Sequence, residues 1–209
     1  MNETKCLGIG PADITEAVDV LSRGGIIAFP TDTVYGLGAD VRQPEAIAAL
    51  YEIKERPLDR AIPVLIARAE ELCRVAQKVP ESAWTLAERF WPGPLTLVVR
   101  SALSLPPILT AGAPTVAVRV PDHPVVRALI EGLGAPVAVT SANISGRPSP
   151  VTADDVLAQL EGRIALLLDG GPCPGGKDST VVDLTAIPLR ILRTGPVTAD
   201  QIQTAIATL

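Results

Sequence analysis

Short apolar strands alternate with helical patterns along most of this chain, and that alternation limits the fold more than any other feature. Runs rich in Val, Ile and Leu predict strands at 26–29, 95–100, 115–120, 137–139, 164–168, 180–184 and 189–192. Helical patterns begin at Asp13 and Pro44, and others are predicted near 68–79, 81–90, 122–133, 152–161 and 198–208. This order favours an α/β fold, with helices packed on a twisted mixed sheet. The last two strands share a short turn, so we expect them to be antiparallel.

No repeat, low-complexity tract or linker interrupts the pattern, so the chain is predicted to form one domain. Aromatic residues make up only 3% of the chain, and the core must therefore be built from Val, Ile, Leu and Ala. The net charge of −5 and the pI near 4.9 argue against a general nucleic-acid coat protein. Any anion site must therefore be a local basic cluster.

The cysteines and the N-terminal segment indicate a cytoplasmic protein. Cys6, Cys73 and Cys173 have neither metal-ligand spacing nor an even count, which is typical of reduced thiols in a cytosol. The chain starts without an apolar segment of signal-peptide length, and it contains no apolar run of about 18 residues. We expect a soluble protein with no membrane association.

The glycine-rich segment 170–179 resembles a phosphate-binding loop only in part. Asp178 stands where that motif requires Ser or Thr, Pro172 and Pro174 lack N–H donors, and a strand pattern follows instead of a helix. We therefore interpret it as a turn that presents Lys177, Ser179 and Thr180. The single histidine, His123, is predicted to lie at a helix start, which disfavours a Ser-His-Asp triad.

Basic residues mark two kinds of position. Lys54, Arg56 and Arg60 cluster at the end of the second predicted helix, where they either compensate the helix dipole or bind an anion. Arg119 and Arg193 lie on or just after apolar strands, where a buried charge needs a partner. Either arginine alone is also compatible with an exposed edge strand.

Two loops rich in hydroxyl groups each follow a predicted strand, at 30–38 and 139–149. Open α/β sheets bind ligands beyond their strand ends, although hydroxyl-rich turns also occur without a function. Ligand binding and ordinary turn formation therefore both remain open from the loops alone.

Seven segments in register resemble the YrdC-like threonylcarbamoyl-AMP synthases over nearly the whole chain. They are GGIIAFPTDTVYGLGAD, YEIKERPLDR, FWPGPLTLVV, VAVRVPDHP, VTSANISGRPSP, DSTVVDL and ILRTGPV. The resemblance implies a single α/β domain over residues 10–205, in which a mixed parallel and antiparallel sheet forms a concave basic cavity.

The same resemblance assigns the site residues. Lys54 and Arg56 would be catalytic and hold the ATP phosphates. The implied ATP-binding residues are Lys54, Arg56, Arg60, Thr115, Ser141, Asn143, Ser149 and Arg193. The implied L-threonine-binding residues are Thr33, Tyr35, Arg119, Val139 and Ser179. Mg²⁺ is expected to accompany ATP, and no side chain is assigned as its ligand.

The implied reaction joins L-threonine and bicarbonate to ATP, giving threonylcarbamoyl-AMP and pyrophosphate. A tRNA threonylcarbamoyl transferase complex would then use the product on adenosine 37 of tRNA. Two residues depart from the longer relatives, which often have Asn at Arg60 and His at Leu65, so threonine selectivity is less firmly implied. Because the chain stops at Leu209, we expect no additional C-terminal domain.

Two other functions fit parts of the pattern. A YrdC-like paralogue without synthase activity would bind nucleotide, or bind tRNA or other double-stranded RNA weakly, although the acidic pI disfavours RNA. Carbamoyl transfer in metallocentre maturation uses a similar domain within larger proteins. The absence of zinc-finger or acylphosphatase-like segments in this sequence argues against it.

Overall fold

A single mixed sheet organises the computed structural model, which describes residues 3–207. The strands are β1 Lys5–Leu7, β2 Ile27–Phe29, β3 Gly36–Asp40, β4 Val64–Leu65, β5 Leu95–Arg100, β6 Thr115–Arg119, β7 Val137–Ser141, β8 Leu166–Leu168, β9 Thr180–Asp183 and β10 Arg190–Arg193. The α-helices are α1 Pro11–Ser22, α2 Pro44–Lys54, α3 Leu72–Val75, α4 Glu81–Phe90, α5 Pro124–Leu133, α6 Ala153–Leu160 and α7 Ala199–Ile206. The predicted α/β fold class is confirmed.

The strand order within the described residues is β1-β8-β2-β3-β7-β4-β6-β5-β9-β10. The sheet contains parallel pairs, such as β5 with β9, as well as antiparallel pairs, such as β3 with β7. The two last strands, β9 and β10, pair antiparallel as predicted.

Helices cover both faces of the sheet. Successive side chains of a strand point to opposite sides, and in this sheet both sides carry apolar side chains that must be buried. In β2, Ile27 and Phe29 belong to one buried cluster and Ala28 belongs to the other. Helices α1 and α5 pack on the Ile27 face, while α2, α4, α6 and α7 contribute to the larger cluster on the Ala28 face. The inner strands are therefore largely apolar, as expected for a sheet buried on both sides, whereas the edge strands β1 and β10 carry the exposed residues Lys5, Arg190 and Arg193.

Strands β1, β3 and β4 were not predicted. β1 and β4 have only three and two residues, which is too short for a hydrophobic period to be recognised. β3 was interpreted as part of a loop because it contains Gly36 and Gly38. A Cβ atom on Gly38 would lie 2.7 Å from the Phe29 ring, so the glycines make room for that ring beneath the strand.

The predicted helix over 68–79 is present only over residues 69–75. That segment contains a 3-10 turn at Ala69–Glu71 and the single turn α3, which ends because Ala76 is extended and forms a β-bridge with Ser101. The other predicted helices are present, with ends shifted by up to three residues, and the predicted end of the last helix at residue 208 lies outside the described residues. None of the helices in residues 3–207 combines the length and the hydrophobicity that a membrane crossing requires.

Candidate functional site

A cavity of about 170 Å³ lies on the sheet face that carries Leu65 and Val139. Strand residues and Pro63 form its floor, and loop residues together with Arg193 at the end of β10 form its walls. The floor residues are Gly36, Pro63, Leu65, Thr96, Arg119, Val139, Thr140 and Ser141, and the wall residues are Thr31, Thr33, Val34, Tyr35, Arg56, Asp178, Ser179 and Arg193. Because the floor is the sheet itself, the hydroxyl-rich loops supply only part of the site.

Many of the residues expected from the sequence meet in this cavity. Those that line it are Thr33, Tyr35, Arg56, Arg119, Val139, Ser141, Ser179 and Arg193. Those that do not line it are Lys54, Arg60, Thr115, Asn143 and Ser149. The lining therefore brings together three arginines from distant parts of the chain.

Arg119 is the deepest cation of the cavity, with a side chain only 8% exposed. Three of its N–H groups are held by the protein: Nε donates to the Gly93 carbonyl at 2.9 Å, Nη1 to Thr33 Oγ1 at 2.9 Å, and Nη2 to Asp32 Oδ1 at 2.5 Å. Burial lowers the pKa of Arg119, and the Asp32 carboxylate opposes that effect. The predicted need for a charge partner is met by Asp32.

The hydroxyl of Thr33 can offer only a lone pair to the cavity. Thr31 Oγ1 lies 2.7 Å from the Val34 carbonyl, which cannot donate, so the Thr31 proton is used there. In the 2.9 Å contact between the two hydroxyls, Thr33 is therefore the donor, to an oxygen that also accepts from the Thr33 and Val34 amides at 3.0 and 3.3 Å. Since Thr33 also accepts from Arg119, one lone pair remains, and it suits an N–H or O–H group of a ligand.

Ser179 is held from two sides at the start of β9. Its hydroxyl lies 2.7 Å from that of Thr96 and accepts from Arg193 Nη2 at 3.0 Å, while Arg193 Nε donates to the Ser179 carbonyl at 2.9 Å. Arg193 also pairs with Asp178 at 3.5 Å, and both side chains are well exposed. Arg193 therefore forms the open side of the cavity, in contrast to Arg119.

Arg56 reaches the cavity because α2 ends beside it. Glu55 adopts a left-handed conformation with φ of 53°, which turns the chain away from the helix axis. The Arg56 Nε and Nη2 groups donate to the carbonyls of Arg60 and Ala61 at 2.9 and 2.8 Å. Burial, together with Arg60 and Arg193, lowers the pKa of Arg56, an arrangement that favours binding of an anion.

Lys54 lies behind the cavity wall and is only 1% exposed. Its Nζ group donates to the backbone carbonyls of Ser141 and Asn143 and lies 3.4 Å from Asn143 Oδ1. Those three acceptors match the three protons of an ammonium group, so none is left for a ligand. Burial lowers the pKa of Lys54 to about 7, and the nearby Arg56 charge acts in the same direction. In this structure Lys54 holds the chain segment that carries Ser141.

The other expected residues that do not line the cavity lie around it. Thr115 begins β6 on the same face as Arg119, since the two are four residues apart on one strand. Arg60 is exposed, and Ser149 lies 3.4 Å from Asp178 Oδ1. Asn143 is buried and donates to the carbonyls of Ile144 and Arg147. None of these four side chains lines the cavity, so each could contact a ligand only if that ligand extended beyond the cavity.

The glycine-rich segment closes one wall of the cavity. The Gly176 amide donates to the Thr33 carbonyl at 2.9 Å, and the Tyr35 hydroxyl donates to the Gly171 carbonyl at 2.9 Å. A strand follows this segment, as predicted. The expectation that the turn presents Thr180 was wrong, because its buried hydroxyl donates to the Val197 carbonyl.

Sequence reasoning missed both carboxylates of the site and two of its hydroxyl groups, namely Asp32, Asp178, Thr31 and Thr96. Three of them lie within segments already singled out, and Thr96 lies within FWPGPLTLVV. His123 precedes α5 as predicted, but its side chain makes no capping hydrogen bond. Within residues 3–207, no three His, Cys, Asp or Glu side chains are placed to hold a metal ion, and the cysteines are free.

Fold and site together define an α/β protein with a cavity lined by arginines and hydroxyl groups. A sequence model of the Sua5/YciO/YrdC family, described as "Telomere recombination", matches residues 19–195. The chain belongs to this family.

Relatives with known names cover most of the chain. It is 45% identical over 202 residues to the threonylcarbamoyl-AMP synthase of Bacillus subtilis, a match that covers 96% of this chain and 58% of that protein. The Vibrio cholerae threonylcarbamoyl-AMP synthase is 36% identical over 185 residues, which cover 88% of this chain and 97% of that protein.

The structure of Pyrococcus abyssi Sua5 complexed with L-threonine superimposes with a TM-score of 0.93 at 42% identity. That match covers 98% of this chain and 60% of the Sua5 chain. The chain thus spans less than two thirds of the B. subtilis and P. abyssi relatives.

Proposed function

We propose that this chain is an L-threonylcarbamoyladenylate synthase, forming threonylcarbamoyl-AMP and pyrophosphate from L-threonine, bicarbonate and ATP. The observation that carries the proposal is the meeting of Arg56, Arg119 and Arg193 in one cavity. The reaction brings together one carboxylate and a triphosphate, and these anions need several cations within one site. The named relatives of B. subtilis and V. cholerae support the choice of reaction.

In this proposal Arg119 binds the carboxylate of L-threonine through its two remaining N–H groups. Thr33, which offers only a lone pair, accepts a hydrogen bond from the amine nitrogen beside that carboxylate. Val139, Tyr35 and Ser179 complete this amino-acid end of the cavity. The donor and acceptor pattern thus fits an L-α-amino acid.

The nucleotide would occupy the end marked by Arg56, Arg193 and Ser141, and extend toward Arg60, Thr115, Asn143 and Ser149. The amine and bicarbonate first give a carbamate, and a carbamate oxygen attacks the α-phosphorus while pyrophosphate leaves. No side-chain nucleophile is needed, and the arginines stabilise the charge that builds on the phosphates. Lys54 contributes by holding the Ser141–Asn143 segment. Mg²⁺ enters as part of the MgATP substrate, with no protein ligand assigned.

Residues 10–205 would act as one domain, and the product would pass to a tRNA threonylcarbamoyl transferase complex. The test is pyrophosphate release from the full chain with MgATP and bicarbonate, with and without L-threonine, followed by mass spectrometry of the product. Release that depends on both threonine and bicarbonate, with threonylcarbamoyl-AMP formed, supports the proposal. Folded protein that binds ATP or bare tRNA without turnover would refute it and favour the non-synthase paralogue.

A further inference from the structure

Asp32 forms a buried ion pair with Arg119 although it does not line the cavity. Its Oδ1 lies 2.5 Å from Arg119 Nη2, and the two side chains are 12% and 8% exposed. A pair this deep is weakly screened by salt and water, so its charges act strongly on any further ion that enters.

The contacts of Arg119 leave two N–H groups without a protein acceptor. A guanidinium has five N–H groups, and Arg119 uses three on Gly93, Thr33 and Asp32. Two N–H groups are enough for a bidentate carboxylate. The three protein contacts fix the plane of the guanidinium, and Asp32 is the one among them that carries charge.

A carboxylate bound by Arg119 would therefore share this cation with the carboxylate of Asp32. The two negative groups would lie on the same guanidinium, and their repulsion opposes binding. Before a ligand binds, the same Asp32 charge stabilises the buried Arg119 cation, and it does so more strongly than the charge of Asp178. Asp32 thus stabilises the Arg119 cation before the ligand binds and repels the ligand carboxylate once it is bound.

We propose that Asp32 is a positioning residue that aims Arg119 at the substrate carboxylate and, as an internal substitute for that carboxylate, weakens its binding. The inference rests on the proposed function for the identity of the ligand, L-threonine. Asp32 thus has two separable effects. Aiming Arg119 requires only a hydrogen-bond acceptor, whereas weakening the binding of the substrate carboxylate requires a negative charge.

Two substitutions at Asp32 separate these effects. Asp32→Asn keeps the acceptor and removes the charge, while Asp32→Ala removes both. Asp122→Asn is the matched control, because it removes one carboxylate charge from an exposed residue. Isothermal titration calorimetry with L-threonine, and separately with ATP, gives the dissociation constants of the full chain, and thermal unfolding with and without L-threonine reports stability.

Asp32→Asn is expected to bind L-threonine about tenfold more tightly, because one repulsive charge beside Arg119 is gone. Its ATP affinity should stay at the wild-type value. The empty protein should unfold at a lower temperature, and L-threonine should raise that temperature more than in the wild type. Asp32→Ala, which also lacks the acceptor, should bind L-threonine more weakly than Asp32→Asn does, and Asp122→Asn should match the wild type.

Unchanged or weaker threonine binding by Asp32→Asn overturns the inference, as does an equal change in ATP affinity. If Asp32→Asn does not fold, Asp32→Ser, a smaller neutral acceptor, takes its place under the same criteria. Tighter threonine binding without pyrophosphate release leaves the Asp32 inference standing and refutes the proposed reaction. Normal pyrophosphate release, together with unaltered threonine binding by Asp32→Asn, refutes the Asp32 inference and leaves the proposed reaction standing.

Discussion

Replacing Lys54 with Met should remove a rise in the free energy of unfolding that the wild type shows between pH 7 and pH 9. Met keeps the apolar length of a side chain that is 1% exposed and removes only the ammonium group. The pKa of Lys54 is about 7 in the folded protein, below the ordinary value of 10.5. Between these two values the unfolded chain binds a proton that the folded protein releases, so the free energy of unfolding rises with pH.

The magnitude follows from the width of that window. Each pH unit in which only the unfolded chain holds the proton adds about 1.4 kcal/mol. Because the folded protein is still half protonated at pH 7, the wild type gains about 2 kcal/mol from pH 7 to pH 9. Lys54→Met lacks this gain. Below pH 7 the desolvation cost of the ammonium is fully present, and the difference between the two proteins should level off.

The assay is urea unfolding of both proteins at pH 6, 7, 8 and 9, with the wild-type value minus the Lys54→Met value as the readout. This difference cancels the titration of groups that the two proteins share. Lys177→Met is the control, because it removes a lysine that is exposed. A difference for Lys54→Met that stays constant from pH 6 to pH 9 would refute the reasoning, and so would an equal pH response for Lys177→Met.

Three further substitutions test the rest of the structure. Arg56→Ala should lower kcat/KM for pyrophosphate release by a hundredfold to a thousandfold, since about 2–4 kcal/mol of transition-state stabilisation is typical of such a group; unchanged steady-state kinetics would remove it from the phosphate site. Arg119→Ala should weaken L-threonine binding far more than ATP binding in calorimetry, and equal weakening would contradict its placement. Gly38→Ala should lower the free energy of unfolding by about 1–3 kcal/mol, because the new Cβ would lie 2.7 Å from the Phe29 ring. Adding Phe29→Leu should recover part of that loss in urea unfolding, and no recovery would exclude the ring as its cause.

The parts of the fold that the sequence predicts are those with a local signal. β5 and β6 are continuous apolar runs, and the helix that begins at Pro44 is correctly placed. β3 lacks such a signal because its glycines exist to admit the ring of Phe29, a residue of another strand. The requirement comes from sheet packing, which no local window of sequence contains.

The same limit explains which site residues were missed. Asp32 and Arg119 are 87 positions apart in the chain, and Thr96 and Ser179 are 83 apart. Arg119 and Arg193 can be recognised in the sequence because each is a charged residue on or just after an apolar strand. Asp32 and Thr96 are not marked by such a change from apolar to charged residues. Their roles depend on strand order, and therefore emerge only when the sheet is assembled. Lys54 shows the converse: a family motif marks it, but its ammonium group is used by three contacts within the protein and does not line the cavity.

The two acidic partners of the cavity arginines explain how a chain with a net charge of −5 can hold an anion site. Arg119 and Asp32 are almost fully buried, whereas Arg193 and Asp178 are 47% and 37% exposed. A buried pair keeps a fixed geometry, which suits recognition of one small carboxylate. An exposed pair is weak and easily exchanged, so Arg193 can leave Asp178 for a phosphate at little cost. On the proposed assignment, the deep pair therefore sets the position of the amino acid, and the open pair gives access to the nucleotide.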